Sequence, residues 1–287
     1  MDSEIQGKKS PVTQKTYGTL YICATPIGNM EDITVRVIKT LKSVDLVAAE
    51  DTRQALKICN RYNIRSPLTS YHEHNEKRKG QLLLEKLKAG KSIALVSNAG
   101  TPGLSDPGYR LIKACIEQEI PVEILPGPNA AVAALVVSGL PTDRFVFEGF
   151  LPRGKGERRK ALARLASENR TMIIYESPHR ILSLLEELEV LFKGRRLALA
   201  RELTKKFEEV IRGTPEEILS QLKNEAPRGE LVMVIEGSSE RLEYSDEYVR
   251  SRLDRLMAEG LSKRDAIARI AAETGVARRI IYERTRS

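Results

Sequence analysis

The sequence predicts an α/β fold of two unlike α/β domains followed by a small helical one. Three observations carry this. From Thr19 to about Val137, short β-rich runs alternate with helical periods, the pattern of an open sheet covered by helices. After a Gly/Pro break at SGLPTDR (138–144) the alternation resumes with about as many strands as helices. Beyond Gly237 everything reads as helix, and 287 residues leave room for two medium domains and a small third.

Taken in order, residues 1–16 (MDSEIQGKKSPVTQKT) are polar and lack the apolar stretch of a signal peptide, so a disordered tail is expected there. An N-terminal domain follows over 17–140. Its strands LYICA (20–24), LVAAE (46–50), SIALVS (92–97) and VEIL (122–125) read as buried on both faces, which implies a mainly parallel sheet. Between the first two, DITVRVIKTLKSV places Ile33, Val37, Ile38, Leu41 and Val44 on one helical face.

The second domain, 141–238, offers FVFEGF, TMIIYES, RLALARE, EEVIRGT and LVMVIEG as strands, several of them consecutive and able to pair antiparallel. ERRKALARLASE and PHRILSLLEELEVLF supply helices, and Thr214-Pro-Glu-Glu217 is a capping box with proline at the first helical position. SSERLEYSD is a polar linker into a helical domain at 245–287. There Ser262-Lys-Arg-Asp265 starts one helix, Gly275 ends it, and an Arg-rich second helix completes a helix-turn-helix-like arrangement.

Composition narrows the function. The longest apolar run, AAVAALVVSGL from Ala130, is too short to cross a bilayer, so no membrane partner is expected. Cys23, Cys59 and Cys115 form no CxxC pair and fit packed thiols in a reducing, cytoplasmic setting. His72, His74 and His179 lack partner ligands at useful spacing, so no metal is expected. A net charge of +8 favours a polyanionic partner, whether nucleic acid or a carboxylate-rich small molecule. GxGxxG, the Walker loop, GxSxG and HExxH are all missing.

Dense polar or Gly/Pro knots stand at strand ends instead, where open α/β sheets bind ligands. They are ATPIGN (24–29), AEDTR (49–53), SYHEHNE (70–76), VSNAGTPGLSDPGY (96–109), LPGPNAA (125–131), YESPHR (175–180), RELTK (201–205) and RGE (228–230). Turns call for Gly, Pro and Asn, but not for Glu-Asp-Thr-Arg or Tyr-Glu-Ser-Pro-His-Arg. In this order the knots resemble the ribosomal RNA small subunit methyltransferase I family, within the tetrapyrrole methylase superfamily. The resemblance runs from about Thr19 to Gly237, with SYHEHNE and YESPHR its most specific parts. The helical tail resembles an extra domain found in some members.

That resemblance implies S-adenosylmethionine as cofactor, bound in the cleft between the two α/β domains, and usually a homodimer. It implies 2′-O-methylation of a cytidine ribose in the decoding region of 16S rRNA, with the 30S subunit as partner. Carried over by position, Pro26, then Asn98, Ala99, Gly100, Thr101 and Pro102, then Asn129 and Ala130 line the cofactor from the first domain. Tyr175, Glu176, Leu203, Glu230 and Leu231, with Gly229 between, contribute from the second. Asn98 stands where the family commonly has Asp; it keeps an acceptor oxygen and loses the charge.

A ribose hydroxyl is a poor nucleophile, so a proton acceptor is expected, among Glu50, Asp51, His72, His74, Asp106 and Glu202. Glu50 beside Arg53 and Glu202 beside Arg201 are the favoured pairs, the arginines keeping the carboxylate ionised and holding a phosphate. The same Glu50–Arg53 pair reads equally well as an ion pair bracing the cleft. Arg153, Lys155, Arg158, Arg159 and Lys160 in PRGKGERRK, with Arg278 and Arg279 in the tail, are the candidate RNA contacts. Two rival readings are a precorrin C-methyltransferase and a non-catalytic RNA- or ribosome-binding module.

Overall fold

The computed structural model describes residues 16–222, 229–239, 245–274 and 276–286. The expected tail at 1–16 falls almost wholly outside them, as do Arg228 and the helix-ending Gly275.

The first sheet contains β1 (Leu20–Cys23), β2 (Leu46–Ala49), β3 (Leu68–Ser70), β4 (Ile93–Val96) and β5 (Val122–Leu125). They pair in the order β3-β2-β4-β1-β5, every pairing parallel. Helices α1 (Val35–Ser43), α2 (Thr52–Tyr62), α3 (Glu76–Lys88) and α4 (Tyr109–Glu117) make the crossovers. Alternate residues feed two cores. Cys23, Val47, Ala49, Ala94, Val96 and Leu125 pack with α1 and α2 on one face. Leu20, Ile22, Ala48, Ile93 and Leu95 pack with α3 and α4 on the other. Burial on both faces holds for β1, β2 and β4. It fails for β5, which lies at the edge of the sheet and leaves Ile124 53% exposed. The short β3 was not foreseen; LTS carries too little apolar pattern to read as a strand.

Helix α5 (Ala130–Ser138) leads out of β5. It precedes the break at 138–144, yet Ala131, Ala134 and Leu135 pack on Ile173, Ala200, Val232 and Val234 of the second sheet. That sheet contains β6 (Phe145–Phe150), β7 (Thr171–Glu176), β8 (Leu197–Arg201), β9 (Glu209–Gly213) and β10 (Leu231–Ile235), ordered β6-β7-β10-β8-β9. Only β6 and β7 pair parallel; the other pairings are antiparallel. Its opposite face, including Met172, Ile174, Leu197, Leu199 and Met233, is covered by α6 (Lys155–Leu165), α7 (Pro178–Leu191) and α8 (Pro215–Leu222). The Thr214 capping box is present: Thr214 N donates to Glu217 Oε2 at 2.8 Å and Glu217 N to Thr214 Oγ1 at 3.3 Å.

Helices α9 (Asp246–Ala258), α10 (Lys263–Thr274) and α11 (Arg278–Arg284) form a separate compact unit. Val249, Leu253, Leu256, Ala266, Ile267, Ile270 and Ile281 make its own core. Ser262 caps α10, accepting from Asp265 N at 3.2 Å.

Candidate active site

The site begins where parallel strands end. Because β4, β1 and β5 are neighbours, the turns after them (97–108, 24–29 and 126–129) emerge side by side. The first two are stitched together: Thr25 N donates to Gly100 O at 2.8 Å and Gly100 N returns to Thr25 O at 3.0 Å. Gly100 has φ +73°, a conformation side-chain-bearing residues resist, so the tight return needs glycine. Asn129 caps α5 by accepting from Val132 N at 3.1 Å.

The second sheet brings its own strand ends to one edge. With β10 antiparallel to both β7 and β8, the start of β10 lies beside the ends of the other two, and Leu231 pairs with Glu176 and with Arg201. A bulge between Phe147 and Gly149 shifts the β6 register, and Phe150 then packs edge-on to Tyr175 at 5.5 Å. The segment after β8 meets the first sheet's turn directly. Thr204 Oγ1 accepts from Asn29 N at 2.9 Å, and a Cβ on Gly28 would lie 2.4 Å from Lys205 Cγ and 2.9 Å from Leu203 O. Glycine in ATPIGN is therefore there for close approach.

Between these edges lies a cavity of about 340 Å³. Of the residues foreseen for the cofactor, Ala99, Gly100, Thr101, Asn129, Ala130, Tyr175, Glu176, Glu230 and Leu231 line it. Pro26, Asn98, Pro102 and Leu203 do not; Pro26, Pro102 and Leu203 are buried beneath the turns and Asn98 is exposed. Lining not foreseen for the cofactor comes from Ile27, Leu104, Ser105, Asp106, Phe150, Ser177, Pro178 and Val232, of which Asp106 was expected only as a proton acceptor. Phe150 was hidden because only the bulge aims it inward. Glu176 is nearly fully buried at the cavity wall, with Arg180 at 3.3 Å and Ser177 N donating to it at 2.7 Å.

The favoured acid–base pairs do not form as expected. Glu50 does not pair with Arg53; its Oε2 accepts from Asn98 N at 3.0 Å. Arg53 folds back on Asp51 at 2.6 Å, its side chain 87% exposed, because Asp51 is the N-cap of α2 and already points at residue 53. Arg201 pairs with Glu209 across the β8–β9 ladder at 2.7 Å. Glu202, at φ +51°, accepts from Glu230 N at 2.9 Å and holds Lys205 at 2.8 Å. The Lys205 hydrogen bond holds the Glu202 carboxyl below its usual range, making it a poor base.

Asp106 has the opposite character. Burial, then the charges of Glu50 and Glu230, push its carboxyl up to about 6, against a stabilising hydrogen bond from Ser97. Among the described residues it has no ion pair, unlike Glu176 and Glu230, the other carboxylates of the lining.

Among the RNA candidates, Arg158 is corrected: it is 4% exposed, paired with Glu187 at 2.7 Å and donating to Ser183 at 3.0 Å. The helical period of α6 turns residue 158 inward while Arg153, Lys155, Arg159 and Lys160 stay exposed. In the helical unit Arg278 and Arg279 are exposed, the latter beside Glu283 at 3.7 Å.

A parallel sheet and a mixed sheet sharing a strand-end cavity define the class. The chain belongs to the Tetrapyrrole (Corrin/Porphyrin) Methylases, whose family model matches residues 19–219. Solved structures of this fold include a cobalt precorrin-4 methyltransferase (TM-score 0.59, 17% identity, 79% of this chain and 98% of that one). A uroporphyrin-III C-methyltransferase of Thermus thermophilus complexed with S-adenosyl homocysteine is another (TM-score 0.54, 20% identity, 76% and 97%). At such identities they speak for the fold alone.

The more similar relatives carry a narrower name, ribosomal RNA small subunit methyltransferase I. The Synechocystis protein is 48% identical over 93% of this chain and 96% of its own length. That of Halalkalibacterium halodurans is 44% identical over 94% and 97%. In Thermotoga maritima, 99% of the relative corresponds to only 77% of this chain, at 47% identity.

Proposed function

We propose that this chain transfers a methyl group from S-adenosylmethionine to the ribose 2′-oxygen of a cytidine in the decoding region of small-subunit ribosomal RNA. The observation that carries it is identity of 43–48% with relatives of that name, across more than nine-tenths of the chain in most of them. The cobalt precorrin-4 methyltransferase shares the fold at only 17% identity, far below the relatives of the narrower name.

The cavity's chemistry fits the cofactor. Ala99–Thr101 and Gly229–Leu231 present backbone groups with little side chain in the way, and Ile27, Leu104, Phe150 and Tyr175 offer an apolar wall for a planar base. Asp106, Glu50 and Glu230 make the local potential negative, which suits a cation. When bound along Ala99–Thr101 and Gly229–Leu231, the cofactor would supply a methyl group made electrophilic by a positively charged sulfur. The protein's tasks are to align the ribose oxygen and to accept its proton. Asp106 replaces Glu50 and Glu202 as acceptor, since of the three it alone lines the cavity, and burial pushes its carboxyl up to about 6.

Arg153, Lys155, Arg159 and Lys160 at the start of α6 follow the RNA backbone, with Arg278 and Arg279 from the helical unit. A homodimer gains support from Val132, Val136 and Val137, exposed along α5. No helix among the described residues is long and apolar enough to cross a membrane, consistent with work on ribosomal subunits in the cytoplasm.

Methyl transfer from labelled S-adenosylmethionine to unmodified small subunits, followed by mass spectrometry of the rRNA, tests the reading. The expected product is one 2′-O-methylcytidine. Label on a base carbon, or no label beside intact cofactor binding, overturns it.

A further inference from the structure

SYHEHNE is one of the polar knots at a strand end, yet none of residues 70–76 lines the central cavity. It walls a second pocket instead, of about 310 Å³, enclosed by Glu73, Glu76, Ser105, Asp106, Pro107, Tyr109 and Arg110. Ser105 and Asp106 belong to both cavities, so a single loop separates them.

The second pocket is braced from below. Tyr71, 1% exposed, directs its hydroxyl to Glu76 Oε1 at 3.5 Å, and the same oxygen accepts from Gly108 N at 3.1 Å. Glu76 Oε2 lies 3.5 Å from Arg110 Nε, which fixes the guanidinium at the rim while leaving the side chain 62% exposed. Gly108, at φ +142°, lets the loop turn back over Leu95. Two side chains are left for a ligand. Tyr109 is 66% exposed despite its size, and Glu73 is exposed with no ion pair among the described residues.

We propose that this pocket seats the target nucleoside, unstacked from its strand, with its ribose toward Asp106; this rests on the ribose methyltransferase reading. Tyr109 supplies a face for the base. Arg110 faces the adjoining phosphate. Glu73 accepts from an exocyclic amine, which admits cytosine and repels the carbonyl that uracil presents at the same position. SYHEHNE thus serves substrate recognition, with Tyr71 and Glu76 as its frame and Glu73 as its reading group.

The test uses the full-length protein and small subunits reconstituted with transcribed rRNA, bearing cytidine or uridine at the position the wild type methylates. Subunit binding is measured without cofactor, methyl transfer with it, and cofactor binding by calorimetry as a control for folding. Tyr109→Ala is expected to weaken subunit binding about tenfold, the loss of one stacked base, and to raise KM with calorimetry unchanged. Tyr109→Phe should restore both. Glu73→Gln should let the uridine subunits approach the cytidine ones in methyl transfer.

If Tyr109→Ala and Glu73→Gln bind and react like the wild type, the pocket is not the nucleoside site, while the methyltransferase reading stands. If Phe fails to rescue position 109, stacking is the wrong account. A wild type that binds cofactor but methylates neither subunit removes the underlying reading instead.

Discussion

The two sheets of this protein reach the same cavity by different routes. In the first, all strands are parallel, so every strand end lies at one edge and the turns after β1, β4 and β5 assemble without further device. In the second, antiparallel pairing sends strand ends both ways, and only the order β7-β10-β8 returns Glu176, Arg201 and Leu231 to one row. The difference appears in the side chains. The second sheet's ionic groups at this edge are paired: Glu176 with Arg180, Arg201 with Glu209, Glu202 and Glu230 with Lys205. The first sheet leaves Asp106 unpaired. The mixed sheet builds a braced wall, and the parallel sheet presents a carboxyl with no ion pair among the described residues.

That division is broken most severely on the mixed sheet's side by Arg158→Ala. Removing one partner of the buried pair with Glu187 strands the other, at a cost of about 3–5 kcal/mol. The melting temperature should fall by about 10 °C, while Arg159→Ala, on an exposed face, should leave it in place and weaken subunit binding. Thermal unfolding beside a binding titration decides. Equal losses of RNA affinity with equal stability would return Arg158 to the RNA contacts.

Asp106→Asn breaks the first sheet's side. Without an acceptor for the hydroxyl proton, kcat should fall about a hundredfold with cofactor binding retained. In the wild type, kcat/KM should rise with pH around a midpoint near 6, as the carboxylate ionises. Stability should run the other way. A carboxyl whose folded pKa lies above its unfolded 3.8 favours the folded state at low pH and loses that contribution as pH rises through about 6. The asparagine variant, with no charge to bury, should therefore be the more stable protein at pH 7 and gain nothing at pH 3. Melting curves at the two pH values read this directly.

A smaller effect is expected where the two routes meet. Gly28→Val pushes against Lys205, Thr204 and the Leu203 carbonyl. Overpacking of this kind costs about 1–3 kcal/mol. Because the strain prises apart the two halves of the cavity rim, cofactor affinity should fall along with the melting temperature. A calorimetric titration showing unchanged affinity would mean the contact between ATPIGN and RELTK is merely structural.

How much of this was legible in the sequence follows the same divide. Strands buried on both faces and knots at their ends made the parallel sheet readable, and nine of the residues foreseen for the cofactor do line the cavity. The exposed face of Ile124 was not readable, since an edge strand and a central one carry the same apolar letters. Contacts made by pairing across strands were also hidden: proximity in sequence suggested Glu50–Arg53 and Arg201–Glu202. Instead, the Asp51 cap and the β8–β9 ladder took the arginines. Asp106 was one candidate acceptor among six and not a favoured one, because what singles it out is burial and two carboxylates distant in sequence.

Arg53→Ala carries the smallest expected effect and the sharpest reading of the divide. Its pair with Asp51 is a solvated one, and such pairs contribute little to stability. The backbone part of the cap, Asp51 Oδ1 accepting from Arg53 N at 2.8 Å, survives the substitution. The melting temperature should not move measurably. If Arg53 instead holds a phosphate of the RNA, as its place at the AEDTR strand end suggested, KM for small subunits should rise at low salt and converge with wild type at high salt. An unchanged KM at every salt concentration would leave Asp106 as the one charged group through which the first sheet's edge acts on the substrate's ribose.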